Sequence, residues 1–70
     1  MERKRVQSSN ILSIGYDPDT KILEIEFIKG SIYHYYGVPL NRFNELMSAQ
    51  SHGKYLNQHI KGIFQYKHIR

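Results

Sequence analysis

From Ile22 to Ile28 apolar and acidic residues alternate, and turn-forming residues close both ends: Asp17-Pro18-Asp19-Thr20 before, Lys29-Gly30 after. A period of two places Leu23, Ile25 and Phe27 on one face of a strand and Glu24 and Glu26 on the other. One strand cannot satisfy its own backbone, and short turns on both sides leave only antiparallel neighbours. The flanking segments supply them. Ile11 to Tyr16 is apolar and partly β-branched, and Ser31 to Tyr36 is aromatic and β-branched. The first half of the chain is predicted to be a three-stranded antiparallel meander.

The register turns on the second turn. If Lys29-Gly30 is a two-residue loop, Ile28 pairs with Ser31 and Phe27 with Ile32. Leu23, Ile25 and Phe27 then share a face with Ile32, His34 and Tyr36, and Leu12, Ile14 and Tyr16 join it. Tyr33 and Tyr35 fall on the other face beside Glu24 and Glu26, where their hydroxyls can donate to the carboxylates. A three-residue loop would swap the faces of the third strand. The two-residue loop is the expected one.

The second half reads as helix. Pro39 follows a Gly37-Val38 break and suits a first helical turn. Leu40, Phe43, Leu46 and Met47 then form an amphipathic stripe. Gln50-Ser51 ends that helix, and Ser51 can cap a second one running from His52 to about Ile60. Leu56 and Ile60 form its apolar pair and Gly62 stops it. Phe64 and Tyr66 alternate as a short extended tail lying on the sheet. The fold class is α+β: a three-stranded antiparallel meander followed by two short helices packed on one sheet face. Residues 1–7 read as a flexible basic arm, 8–66 as a single domain and 67–70 as a fraying tail.

Composition narrows the function. Seventy residues, 40% of them hydrophobic and 13% aromatic, make one small folded domain. A chain of this size buries only about 60% of its unfolded surface, so a ligand, partner or second copy would add usefully to its stability. Without cysteine it has no disulfide and no thiolate site. No apolar run reaches membrane-spanning length, and the polar start from Met1 to Asn10 is no secretory signal, so a cytoplasmic location away from membranes is expected. Charge is segregated within the net +4. Asp17, Asp19, Glu24 and Glu26 lie together in the middle. Arg3, Lys4 and Arg5 lead the chain, and Lys54, Lys61, Lys67 and Arg70 follow Glu45, after which there is no acid. Basic ends attract anions such as phosphate, nucleic acid or an acidic protein face.

No constellation asks for catalysis. There is no Gly-x-Ser-x-Gly elbow and no glycine-rich phosphate loop, since Gly15, Gly30, Gly37, Gly53 and Gly62 are dispersed. Glu24 and Glu26 share a strand face, which reads as a solvated surface rather than a pair flanking a scissile bond. His52 and His59 are seven apart, about 10 Å along a helix, too far to share one ion. No metal and no cofactor is expected. Anion and base recognition is better served. Between Ser51 and Gly62, basic, amide and aromatic groups interleave: Gly53 permits close approach, Lys54 and Lys61 form one basic stripe, His59 can donate when protonated, and Asn57 can read a base edge. Tyr33, Tyr35 and Tyr55 are stacking candidates. Each has a plainer role as a packing residue with its hydroxyl tied to the end of an element.

The ordered set of motifs resembles the KTSC domain family, found at the C-terminus of some lysyl-tRNA synthetases and as small stand-alone bacterial or phage proteins. The resemblance is carried by Ser8-Ser9-Asn10-Ile11, Ile14-Gly15-Tyr16-Asp17, Leu23-Glu24-Ile25-Glu26-Phe27, Tyr33-His34-Tyr35 with Tyr36-Gly37-Val38-Pro39, and Ser51-His52-Gly53-Lys54-Tyr55-Leu56-Asn57-Gln58-His59-Ile60. It covers roughly Val6 to Tyr66. Its attachment to a tRNA synthetase implies an RNA-binding role, with Tyr33, Tyr35, Lys54, Tyr55, Asn57 and His59 on the matching positions. The chain departs from the family near Ile63 and Gln65, where a basic residue and a Tyr-Pro-Tyr are frequent, and this weighs against phosphate binding by the tail.

The leading expectation is a non-enzymatic module for RNA or single-stranded nucleic acid. Lys54, Lys61 and His59 would meet phosphates, Tyr33, Tyr35 or Tyr55 would stack, and the basic arm would add non-specific attraction. A second class is a pocket for a small anionic ligand such as a signalling nucleotide, completed where needed by a second subunit of a homo-oligomer. A third is a protein-interaction module using a strand edge or a tyrosine-rich face.

Overall fold

The computed structural model describes all residues, 1–70. Five strands form one antiparallel sheet in the order β1 (Arg3–Arg5), β2 (Ile11–Asp17), β3 (Ile22–Phe27), β4 (Ile32–Tyr35) and β5 (Tyr66–His68). Two helices, α1 (Leu40–Ser48) and α2 (His52–His59), follow β4. The α+β class and the helix pair match the expectation from sequence. The strand count does not: there are five strands, not three. The additional strands are the two sheet edges, β1 from the basic N-terminal segment and β5 from the last residues. Neither has the apolar alternation of a buried strand. Each is recruited by its neighbour, Arg3 lying opposite Gly15 and Lys67 opposite His34.

The register also departs from the expected one. Phe27 donates its amide to Ser31 O at 2.8 Å, Gly30 N–H bonds Phe27 O at 2.8 Å, and Gly30 adopts φ 102°. Ile28-Lys29-Gly30 is thus a three-residue loop, a turn followed by a residue in the glycine-favoured conformation. Leu23 pairs with Tyr35, Ile25 with Tyr33 and Glu24 with His34. Every side chain of β4 therefore lies on the face opposite to that of the two-residue register. Tyr33 and Tyr35 stand on the helix-covered face, and His34 stands with the acids. A second irregularity, between Ile11 and Ser13, buries Ile11 in the core in place of Leu12.

Ile11, Ile14, Leu23, Ile25, Tyr35, Val38, Leu46, Leu56 and Ile60 form one buried cluster between sheet and helices. Phe43 stacks on Tyr16 with centroids 4.7 Å apart, and the Tyr16 hydroxyl donates to Val38 O at 2.5 Å, which fixes α1 against β2. Leu40 is 52% exposed, so the buried stripe of α1 begins at Phe43. Ser51 caps α2 through Lys54 N–H at 3.2 Å, and Gly62 at φ 78° turns the chain out of the helix. His52 Nδ1 lies 2.8 Å from Leu46 O, the geometry of a ring N–H donating to the end of α1 and joining the two helices.

On the open face the segregated charges meet one another. Arg3 bonds Glu24 at 2.7 Å and approaches Glu26 at 3.6 Å. His34 Nε2 reaches the other Glu24 oxygen at 2.6 Å. Ser13 Oγ donates to Glu26 at 2.7 Å, and Arg70 lies 3.5 Å from it. Arg3 must cross β2 to reach β3. Gly15 makes room: a Cβ there would lie 2.9 Å from Glu2 O and 3.0 Å from Arg3 Cγ.

Candidate nucleic-acid interface

The three-residue loop that flips β4 also assembles a groove. Tyr33 stands beside Phe27 edge-to-face, with centroids 5.7 Å apart, and Tyr66 of β5 stands next to both Tyr33 and Tyr35, at 5.8 and 6.0 Å. With Ile28 and Lys29 from the loop, Lys61 and Gly62 from the end of α2, and Ser9, Asn10 and Ser31, these rings line an open groove of about 640 Å³. Its lining contains two lysines and no acid. Lys61 Nζ sits 5.7 Å from the Phe27 ring centroid, within cation–π range. Tyr66 is 62% exposed, so its ring is open to a ligand.

Ser9 and Asn10 also line a second, wholly polar compartment of about 370 Å³, whose opposite wall is the start of α2 with His52, Gly53, Lys54 and Asn57. The first intrahelical bond there is Tyr55 N–H to Ser51 O at 3.0 Å, so the amides of His52 and Gly53 precede the ladder. The two compartments adjoin along Ser9-Asn10, which joins an aromatic half to a polar, lysine-bearing half.

The residues singled out from sequence divide into three groups. Gly53, Lys54 and Asn57 line the polar compartment. Lys61, Tyr33 and Tyr35 line the aromatic groove. Tyr55 and His59 line neither: their rings lie together at 4.5 Å, and the Tyr55 hydroxyl donates to Glu45 on α1. Burial first, and that hydrogen bond second, push the Tyr55 pKa up. Tyr55 thus has the plainer role, tying α2 to α1. Tyr35 is only 2% exposed, and burial, followed by the nearby Tyr33 and Tyr66, pushes its hydroxyl up to about 12. Its ring faces are occupied by core packing. Tyr33 remains partly exposed, with His68 stacked parallel to it at 4.5 Å. Lys61 lies beyond the end of α2, not on a helical stripe with Lys54, because the helix stops at His59. Arg3, read as part of a free basic arm, is paired with Glu24.

Sequence reading missed Phe27, Lys29, Tyr66 and Asn10 as groove residues. Tyr66 carried a signal in its alternation with Phe64. The others gain their place only through the three-residue loop and the pairing of β5. No group of three or more His, Asp or Glu side chains is gathered as a metal site, and no helix is long and apolar enough to cross a membrane.

The KTSC domain model matches residues 7–66. A KTSC domain protein from Yersinia pestis, known from its crystal structure, superposes with a TM-score of 0.93 at 47% identity, covering 99% of this chain and 97% of that one. An uncharacterized protein of Stutzerimonas stutzeri is 41% identical over 70 residues, 93% of its length. A lysine–tRNA ligase of Nostoc sp. is 43% identical over 63 residues, and the matched stretch is only 11% of that enzyme. With the match spanning the strands, both helices and both walls of the groove, the chain belongs to the KTSC domain family.

Proposed function

We propose that the chain is a non-enzymatic binding module for RNA or single-stranded nucleic acid, and that the aromatic groove is its contact surface. The observation that carries this reading is the pairing of Tyr33 and the exposed Tyr66 with Lys29 and Lys61 in a groove without an acid. Single strands bind through base stacking on aromatic rings, about 1–3 kcal/mol per base, together with cations that follow the backbone. Lys54 in the adjoining compartment extends the cationic path. The side chains best suited to acid–base chemistry, Glu24, Glu26 and His34, are bound to one another's partners on the opposite face. Lysine–tRNA ligases carry a related stretch as a small part of their length, and an RNA-facing accessory suits an enzyme whose substrate is tRNA.

A backbone-amide NMR titration with short single-stranded RNA at two salt concentrations tests the reading. Shifts confined to Asn10, the 27–33 hairpin, Lys54 to Gly62 and Tyr66, weakening steeply with salt, are the expected result. A spectrum unmoved by RNA at low salt would refute it. The adjoining aromatic and polar compartments favour one second reading, a free anionic nucleotide bound at defined stoichiometry with little salt dependence.

A further inference from the structure

We infer that the groove holds one unpaired nucleotide at a time, its base stacked on Tyr66 and on no other ring. The inference rests on the nucleic-acid reading above and adds to it the ring that stacks and the size of the ligand.

Four aromatic rings line the groove: Phe27, Tyr33, Tyr35 and Tyr66. A base needs an open ring face, and three of the four are already engaged. Tyr35 is buried in the core. His68 lies flat on Tyr33, with centroids 4.5 Å apart and 10° between the planes. Phe27, Tyr66 and Tyr35 crowd the same ring at 5.7, 5.8 and 6.4 Å. Phe27 meets Tyr33 at a right angle and carries Lys61 Nζ over its own ring. Tyr66 differs from all three. Its ring neighbours, Tyr33 and Tyr35, are tilted from it by 37° and 40°, so no ring is stacked flat on it. It is also the most exposed of the four, at 62%.

The ring is open, but its backbone is held. Tyr66 pairs with Tyr35 in the β4–β5 ladder. On one side Gln65 O accepts from Tyr36 N–H at 2.8 Å, and on the other Ile69 N–H donates to Ile32 O at 2.7 Å. A platform fixed in this way has little backbone freedom left to lose when a base lands on it, so more of the stacking energy appears as affinity. Lys29 and Lys61 line the same groove and no carboxylate does, which supplies a cation for the phosphate on each side of that one nucleotide. Every base has a π-face, so the site takes any of them. A base inside a duplex has both faces covered by its neighbours and must leave the stack to use the site, so the ligand is an unpaired nucleotide. A nucleotide within a strand and a free nucleotide present the same base and phosphate, and the two sources separate by experiment.

The test measures fluorescence anisotropy of labelled oligouridylate against the full chain over a salt series, with UMP as competitor. Tyr66→Ala is expected to weaken binding by about 5- to 150-fold, the value of one stacked base. The slope of log K against log salt should not change, because no phosphate contact is removed. Tyr66→Phe keeps the ring and should keep the affinity to within about twofold. His68→Ala bares a face of Tyr33 and should hold the affinity or raise it. Unchanged amide spectra verify that the variants fold. UMP competing as tightly as the oligomer, and losing its affinity in Tyr66→Ala, would identify a free nucleotide as the source. UMP competing far more weakly would assign the nucleotide to a strand. Both results uphold the role of Tyr66. If the oligomer binds the parent chain but Tyr66→Ala costs less than about twofold, or His68→Ala costs as much as Tyr66→Ala, the inference is overturned while the RNA reading stands. Absence of binding to either probe by the parent chain overturns both.

Discussion

The two faces of the sheet are made from alternate residues of the same strand, yet they reach opposite electrostatic outcomes. On the open face, Glu24 and Glu26 are bound by Arg3, His34, Ser13 and Arg70. On the helix side, Leu23 and Ile25 vanish into the core, and the groove at its rim holds lysines with no acid to pair with. The charge segregation evident along the chain is therefore spent in two ways. Part of the basic N-terminus and the last arginine neutralise the acidic middle strand. The lysines at positions 29, 54 and 61 pair with no carboxylate of the chain and line the two compartments instead. Arginines beside the acid-rich strand are paired with it; lysines in the acid-free concavity are not paired.

The largest expected effect tests whether the core side of β3 dominates the strand's stability. Leu23 is fully buried, and Leu23→Ala should cost about 2–5 kcal/mol. For a domain of this size that is a large share of the whole, so a urea titration should show most molecules unfolded or an early midpoint. A shift of less than about 1 kcal/mol would mean that the sheet is held chiefly by its ionic face.

The adjacent residue should matter less. Glu24→Ala removes the acceptor shared by Arg3 and His34 and leaves two cationic or polar groups facing each other across Gly15. Glu24 is partly shielded, with 13% of its side chain exposed. Hydrogen bonds to a charged group of this kind, discounted for solvent access, give about 1–2 kcal/mol. That corresponds to a fall in Tm of about 5–15 °C by calorimetry. The same variant should leave RNA affinity within about twofold, because no groove residue touches Glu24; a large loss of affinity would mean that the faces are coupled.

How far these faces are legible in sequence differs element by element. The alternation from Leu23 to Phe27 states its own faces, and Ser51 and Gly62 mark the ends of α2 through capping and through φ. The identity of the β4 faces is not legible in the same way. Two or three loop residues are both compatible with Lys29-Gly30, and the choice is made by where the turn bond closes, Gly30 N–H to Phe27 O. That one-residue difference moved Tyr33 into the groove and His34 onto Glu24. Edge strands of three residues such as Arg3–Arg5 and Tyr66–His68 have too short a period to read, and their pairing energy comes from partners distant in the chain. Residue type found Lys54, Lys61 and Tyr33. The alternation of Phe64 and Tyr66 marked an extended tail, but only topology places Tyr66 beside Tyr35 and Asn10 in the groove.

Acid should sharpen the contrast further. Burial raises the Glu24 pKa, but the hydrogen bonds from His34 and Arg3 outweigh it, and the net direction is downward from 4.5. A carboxyl whose folded pKa is depressed contributes stability in full above its unfolded pKa and loses it as pH falls through the folded one. The urea midpoint of the parent chain should therefore drop between about pH 5 and pH 3. In Glu24→Gln the drop should be shallower. It should not vanish, because Asp17 is also held low, first by the Asp19 amide and then by Thr20. Parallel profiles for the two proteins would show that the network around Glu24 carries no pH-linked stability.

The smallest effect separates the two populations of lysine. Lys61 borders the aromatic groove, whereas Lys67 pairs across the sheet with His34 on the edge strand and lines no part of the groove. Lys61→Ala should weaken single-stranded RNA binding a few-fold at low salt and reduce the slope of log K against log salt by about 0.7, the value for one phosphate contact on a single strand. Lys67→Ala removes the same formal charge from a protein of the same net charge. If attraction comes from the overall charge alone, the two variants will lose affinity equally and neither will change the slope by a whole contact. If it comes from the acid-free groove, only Lys61→Ala will change the slope, and the loss will fall equally on every RNA sequence, since a phosphate contact positions a strand without reading it.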